Sequence, residues 1–508
     1  MKKGLVVALA LLIITSTALP LFALDVQFSG DYRVRAFYFD SLLANKPDLL
    51  TGDASALTSN FLDQRFRLTS RITAGMTAGV VQLDFLNVTG NGPGNREFGQ
   101  NFILPNYSGF GGESNTIGVR QAYLVVNFPV ARLYAGRPEV TLGHGLTLKD
   151  TVDLIGVGTQ IPVPNMPIEV QVAYGKLGEF DSVLNGHTKD LDLDFYAATL
   201  TMKPNPDNSF GGFIFYGGQR LEGCNSGTIP LPPPISVTIP GCVGADGNLV
   251  SPALFGAATH DLHEVMFGVT ADGKVAVPGM GALRYAAEFD NFSGTNFDGR
   301  GILGYNFYGD VGADVNLPMA GTASIGISYL RVQGPSPDNA GKVGVNSLKG
   351  DFKFANILFD DSTNNYDGVD FNSQFAEGRI GCDPNNPLVV VLAPGTCSAQ
   401  NTSLNHNIHA IKVYAGVKPT DKTNFEVALL PYVWAVRGPA GVTCQVGVGC
   451  GRNVGFEIDV NAAYKLDDNL KLTAGYGFFN PGDAFKDSSA GIDEKNVNKV
   501  EAALTYTF

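Results

Sequence analysis

The sequence is short of charge and of helix signal. Only 16% of its 508 residues are charged, and there is a single tryptophan. No long stretch carries a 3.6-residue apolar repeat, so amphipathic helices are not expected. Beyond "GLVVALALLIITSTALPLFA" near the N-terminus, nothing approaches the ~20 apolar residues of a membrane-spanning helix. CxxC, CxxCH, phosphate-loop, hydrolase-elbow and zinc patterns are all missing, which argues against haem, zinc and enzyme chemistry. The formal charge of −13 disfavours nucleic acid as a partner.

What is present is glycine and aromatic side chains: 62 Gly, 33 Phe and 18 Tyr. Lys2 and Lys3 precede the apolar run, which ends in small residues near Ala23. That order predicts a secretory leader over residues 1–23, cleaved after Ala23, and an exported chain over 24–508. The cysteines fall as close neighbours in Gly/Pro/Asn-rich stretches. Short loop closure then pairs Cys224 with Cys242, Cys382 with Cys397 and Cys444 with Cys450.

Period-2 alternation recurs along the whole mature sequence, and marks strands. In "DVQFSGDYRVRAFYF", Val26, Phe28, Tyr32, Val34 and Ala36 alternate with Gln27, Ser29, Asp31, Arg33 and Arg35. Eighteen such runs are joined by connections of alternating length: short ones such as "TAG" and "LDDN", long ones such as 220–261 and 334–406. This predicts an all-β, closed antiparallel transmembrane barrel with short periplasmic turns and long extracellular loops, in the outer membrane of a Gram-negative bacterium. All three expected disulfides then lie on the outer side. An extracellular β-sandwich is the alternative, but it has no need of alternating loop lengths.

The last run, "VEAALTYTF", has Val500, Ala502, Leu504, Tyr506 and Phe508 on one face and Glu501, Ala503, Thr505 and Thr507 on the other. Such a strand closes the barrel against the first one, with Tyr506 and Phe508 in the periplasmic aromatic girdle. It also resembles the terminal signal by which the outer-membrane assembly machinery recognises its substrates.

A barrel of ~18 strands leaves a water-filled lumen. On the inward positions Arg33, Arg35, Arg65, Arg67 and Arg71 form a ladder, which Arg137 joins. Asp190, Asp192, Asp194, Glu288, Asp290, Asp310 and Asp314 form an acidic wall across the barrel. Two readings of the ladder stand together. It is a permeation surface, since guanidinium groups hold carboxylate and phosphate well, or its arginines pair with wall carboxylates such as Asp31 and Asp63 and stiffen the barrel. Segment 334–406 is too long for an ordinary connection. Its apolar pieces "FANILF" and "PLVVVLAP" favour folding into the mouth over capping the outside.

The pairs in "HDLH" and "HNIH" point opposite ways on a strand, so His260, His263, His406 and His409 read as loop-end residues rather than metal ligands. "DLDLD" fails the calcium-loop spacing at Phe195. No resident cofactor or metal is expected, although oxygen-rich outer loops leave room for loosely held calcium.

The basic strands "DYRVRAFYF" and "DQRFRLTSRI", the stretch "VRQAYLVVNFPVARLYAGR", and "VGFEIDVNAAYKLDDNLKLTAGYGFFNPGDAF" resemble the alginate-export-like family of outer-membrane porins. The last is the most specific, through Glu457, Ile458, Asp459, Tyr464, Tyr476 and Pro481-Gly482-Asp483. The resemblance implies an eighteen-stranded pore with Arg33, Arg35, Arg65, Arg67, Arg71 and Arg137 as permeation residues. The acidic wall departs from a lumen suited to an anionic polysaccharide. The expected function is passive diffusion of small hydrophilic, charged solutes. The rivals are a polysaccharide export pore, a plugged adhesive or structural barrel, and a sheath for an electron-carrying cytochrome. Expected partners are outer-membrane lipid and lipopolysaccharide, the assembly machinery and small solutes, with room for a homo-oligomer.

Overall fold

The computed structural model describes residues 25–40, 59–89, 117–146, 148–164, 166–178, 193–219, 225–230, 236–243, 249–250, 262–279, 281–295, 301–318, 321–332, 342–343, 354–357, 408–435, 453–482 and 496–508. Eighteen strands make the wall. The first six are β1 Asp25–Asp40, β2 Ser59–Ala74, β3 Thr77–Thr89, β4 Ile117–Asn127, β5 Arg132–Arg137 and β6 Asp153–Ile161. Next come β7 Ile168–Gly178, β8 Leu193–Asn205, β9 Asn208–Gln219, β10 Leu262–Val277, β11 Gly281–Thr295 and β12 Gly301–Leu317. The last are β13 Gly321–Val332, β14 Ile408–Thr420, β15 Thr423–Ala435, β16 Asn453–Lys465, β17 Leu470–Pro481 and β18 Val497–Thr507.

Each wall strand pairs antiparallel with its sequence neighbours, and β18 returns to pair with β1 (Tyr32 opposite Tyr506, Ala36 opposite Ala502). The sheet therefore has no free edge, the condition for spanning a bilayer with strands. Lys342–Val343 adds a short parallel bridge to the start of β12. A small three-stranded sheet (Asn225–Pro230, Ser236–Val243, Leu249–Val250) occupies part of the 220–261 loop.

Alternation decides the two faces. Phe28, Leu124, Ile155, Val172, Ile214, Val269, Val311, Ile325, Val427 and Val460 are among the large apolar side chains left exposed, and they come from strands all round the barrel. A continuous apolar outer face of this extent is a lipid-facing surface. The seam closes as expected. The backbone of Gly30 and Phe508 exchange hydrogen bonds of 3.0 and 3.1 Å. The Phe508 ring stacks 6.0 Å from Phe66 and 6.1 Å from Tyr506. A Cβ on Gly30 would lie 2.2 Å from the Arg67 carbonyl oxygen and 2.7 Å from the Phe508 ring, so only glycine fits under that ring.

A lumen narrowed by two inward segments

The sheet is lowest at β5, only six residues long, and there the chain turns inward. Glu139–Leu142 and Leu148–Thr151 form a hairpin whose Leu142, Leu146 and Leu148 are buried. Its tip reaches β10 and β11. The His144 N–H donates to Glu288 Oε2 at 2.5 Å; the imidazole Nδ1 lies 2.9 Å from the same oxygen, and Nε2 lies 2.6 Å from Asp272 Oδ1. Burial alone would lower the His144 pKa, but the hydrogen bonds and charges of Asp272 and Glu288 outweigh it and raise it from 6.5 to about 9. The imidazolium thus bridges two carboxylates. Gly143 has φ +59°, and a Cβ there would lie 2.4 Å from the Glu288 carboxylate.

The second inward segment is 354–357, part of the long 334–406 loop, and Phe354, Ala355, Asn356 and Ile357 are all buried. It is held by charges of both signs. The N–H of Asn356 donates to Glu457 Oε1 and Asp459 Oδ2 (3.0 and 3.1 Å), and that of Ile357 donates to Glu457 Oε1 at 2.6 Å. Lys412 Nζ donates to the Phe354 carbonyl and Lys499 Nζ to that of Asn356, both at 3.0 Å. The Asn356 side chain reaches Asn461 Oδ1 at 2.9 Å. Charge-assisted bonds of this kind are the strong ones, and they leave the strap little freedom. A cavity of about 290 Å³ lies against it, lined by Asn356, Asn424, Asn461, Thr473, Lys499 and Glu501.

Two apolar clusters fill in around these segments. One joins Leu146 of the hairpin to Phe354, Ala355 and Ile357 of the strap and to wall residues from β13 to β18. The other joins Leu142 and Leu148 to Phe195, Phe215, Met266 and Phe292. Neither cluster includes a residue of β1–β4.

The arginine ladder lies on β1 and β2, outside both apolar clusters. Arg33 and Arg35 take the inward positions of β1, and Arg65, Arg67 and Arg71 those of β2, alternating with the outward Tyr32, Phe66 and Ile72. Arg35 is 3% exposed with its guanidinium 4.9 Å from the Phe37 ring centre. Arg65 meets Asp31 at 3.3 Å, and Arg67 grips Asp84 at 2.8 and 3.1 Å. Wall pairing is therefore real for these two, with Asp84 as a partner the alternation did not single out; the Asp63 side chain lies outside the described residues.

Two ladder or wall positions need correction. Arg137 shares the outward face with Ala135 and Leu133, and its guanidinium is bonded to Asp153 beside the outward Ile155 and Val157. Asp194 lies on the outward face with Tyr196, accepting a hydrogen bond from Tyr174 at 3.0 Å. Asp190 and Asp192 lie outside the described residues. Glu288, Asp290, Asp310 and Asp314 do face inward, but they are engaged or buried. Asp310 accepts from Ser328 and Tyr414 (2.5 and 3.0 Å), Arg284 donates to Asp314 at 2.9 Å, and Glu288 and Asp290 are 0% exposed.

Arg120 was hidden by a bulge. Strict alternation puts it outward with Leu124, but the register slips between Gln82/Gln121 and Leu83/Val119, and Arg120 turns inward to meet Glu139 at 2.5 Å. His144 had only the local pattern "LGHGL" to mark it. Cys242 lies on a strand of the small sheet, and the other five cysteines, like the calcium-capable outer loops, lie outside the described residues. His263 and His409 each pair with a tyrosine hydroxyl on the outward face, at 3.0 and 2.6 Å.

A closed sheet with an apolar exterior, a charged interior and inward-folded segments defines a transmembrane antiparallel β-barrel. No protein-family model matches the chain, and neither does any curated protein. Among solved structures it is similar to the outer-membrane protein OpdK of Pseudomonas aeruginosa (12% identity, 95% of this chain and 99% of that one, TM-score 0.49). It is also similar to OccK5 of the same organism (9%, 95% and 98%, TM-score 0.48) and to OccAB4 of Acinetobacter baumannii (12%, 95% and 98%, TM-score 0.47).

Proposed function

We propose that the chain is a passive outer-membrane channel for small hydrophilic, charged solutes, with the passage running along the arginine-bearing strands. One observation carries this: neither apolar cluster of the described residues reaches β1–β4, where Arg33, Arg35, Arg65, Arg67, Arg71 and Arg120 lie, and the hairpin meets that arc through the Arg120–Glu139 ion pair. A guanidinium row beside a narrowed lumen favours anionic groups in transit. The acidic residues of β10–β12 serve in this scheme as anchors for the hairpin and the wall, not as an opposing selectivity surface. Outer-membrane lipid, the assembly machinery and a homo-oligomer belong to the same proposal, as does membership of the alginate-export-like family, which rests on the quoted residues alone.

The test is single-channel conductance of the purified protein in a planar bilayer, with the reversal potential under a salt gradient. A steady conductance with anion preference supports the proposal. A second reading, a plugged structural barrel, draws on the cluster that joins hairpin to strap. Folded protein that never conducts would establish it instead.

A further inference from the structure

An aromatic belt runs along the outward face near the extracellular ends of the strands. Tyr174, Tyr196, Tyr216 and His263 follow one another with ring centres 5.1, 6.2 and 6.3 Å apart. Farther round, Phe267, Phe289 and Tyr305 lie 6.3 and 5.8 Å apart, and Phe307, Tyr329 and His409 lie 5.9 and 6.0 Å apart. Among the described residues, outward cations stand at two places on this side. At the first, Arg137 is neutralised by Asp153, which Lys176 also faces in register. At the second, the Arg331 guanidinium lies 4.1 Å from the Tyr305 ring centre, its Nε is buried with no hydrogen-bond acceptor, and no carboxylate among the described residues pairs with it. Arg331 is opposite His409 in the β13–β14 register, and His409 Nδ1 is held by the Tyr329 hydroxyl at 2.6 Å.

The height of this cluster identifies its partner. Arg331 is ten residues along β13 from Gly321, the periplasmic end. At ~3.3 Å per residue and a tilt of ~40°, it stands roughly 25 Å above that end, about the height of an apolar barrel band. Below it on the same face are Ile325 and Ile327, exposed and apolar. Arg331 therefore stands where acyl chains give way to headgroups.

We propose that Arg331, on its Tyr305 platform and beside His409 and Tyr329, is a docking site for the phosphate of an anionic lipid in the outer leaflet. It rests on the membrane placement proposed above. A planar guanidinium already oriented by an aromatic ring loses little freedom when it binds a phosphate in two-pronged fashion, and the imidazole supplies a neighbouring donor.

Native mass spectrometry of the full refolded barrel tests this, with phosphorylated lipid A as the probe, dephosphorylated lipid A and inorganic phosphate as comparisons, and conductance measured on the same preparation. The expectation is retention of the phosphorylated lipid by the native protein, about tenfold weaker retention by Arg331→Ala, partial recovery with Arg331→Lys, and weak retention of the dephosphorylated form. Tyr305→Leu, which keeps the charge and removes the platform, should fall between. Equal retention by the native protein and Arg331→Ala overturns the site. Displacement of the lipid by millimolar inorganic phosphate shows a phosphate site with no lipid selectivity and overturns the lipid assignment. A barrel that retains the lipid but does not conduct sinks the channel proposal and leaves the site standing; one that conducts without discriminating lipids does the reverse.

Discussion

Replacing His144 with glutamine should release the hairpin tip from β10 and β11. In the docked hairpin the imidazole lies between Asp272 and Glu288, with Tyr308 edge-on at 5.7 Å, and its pKa stands at about 9 against 6.5 for a free side chain. That difference is about 3.5 kcal/mol of docking energy at ~1.4 kcal/mol per tenfold change in proton affinity. The side chain is 20% exposed, so screening trims the figure to roughly 2 kcal/mol, or roughly a 30-fold change in the docked-to-detached ratio. Because the docked pKa is raised, the stabilisation is complete below about pH 6.5 and is lost as pH rises through about 9. Single-channel records should therefore show wild-type protein gaining time in a higher-conductance state between about pH 8 and pH 10, whereas His144→Gln should show that state at neutral pH and little further change. Identical conductance histograms for the two proteins near neutrality, with no alkaline transition in the wild type, would refute the latch.

Neutralising Arg65 and Arg67 together should reduce the anion preference measured by reversal potential; unchanged selectivity would relegate the ladder to stiffening the wall. Of the two, Arg67 should also carry stability, because its loss strands Asp84, which is 1% exposed. Denaturant unfolding of Arg67→Ala should show a loss of about 3–5 kcal/mol. Gly30→Val should slow assembly and lower thermal stability by about 1–3 kcal/mol, since its side chain meets the Arg67 carbonyl and the Phe508 ring; a variant folding at the native rate and stability would show that the seam is looser than drawn. Peptide mapping without reduction should recover Cys224–Cys242, Cys382–Cys397 and Cys444–Cys450, and any other pairing would overturn the short-loop argument.

The wall was legible in the sequence because lipid on one side and water on the other write a period of two into every strand. Phe28 and Arg33, or Val311 and Asp310, could be assigned to their faces from parity alone. Parity failed where the backbone broke step. The bulge at Arg120 turned a nominally outward residue inward. At Arg137 parity holds: the residue shares a face with Leu133 and Ala135, and only its basic character groups it with the ladder. The inward segments were harder still. "FANILF" marked apolar residues in a polar loop, but the groups that hold the strap, Lys412, Glu457, Asp459 and Lys499, come from three other strands, and their convergence is a product of closure. Glu457 and Asp459 stand out by their pattern, with nothing local to show that they accept backbone N–H groups.

That convergence also explains why the lumen can carry buried carboxylates at all. An ionised group with no partner is too costly in a dry interior, yet Glu288, Glu457 and Asp459 are almost wholly buried. Each is offset by donors from an inward segment: His144 for Glu288, and the N–H groups of Asn356 and Ile357 for the other two. The charge of the wall and the course of the loops are thus one design, in which removing a segment exposes anions and removing an anion frees a segment. The ladder differs: Arg65 and Arg67 are matched by carboxylates of the wall itself, Asp31 and Asp84. These two arginines are matched without an inward loop, and so they can face a passage.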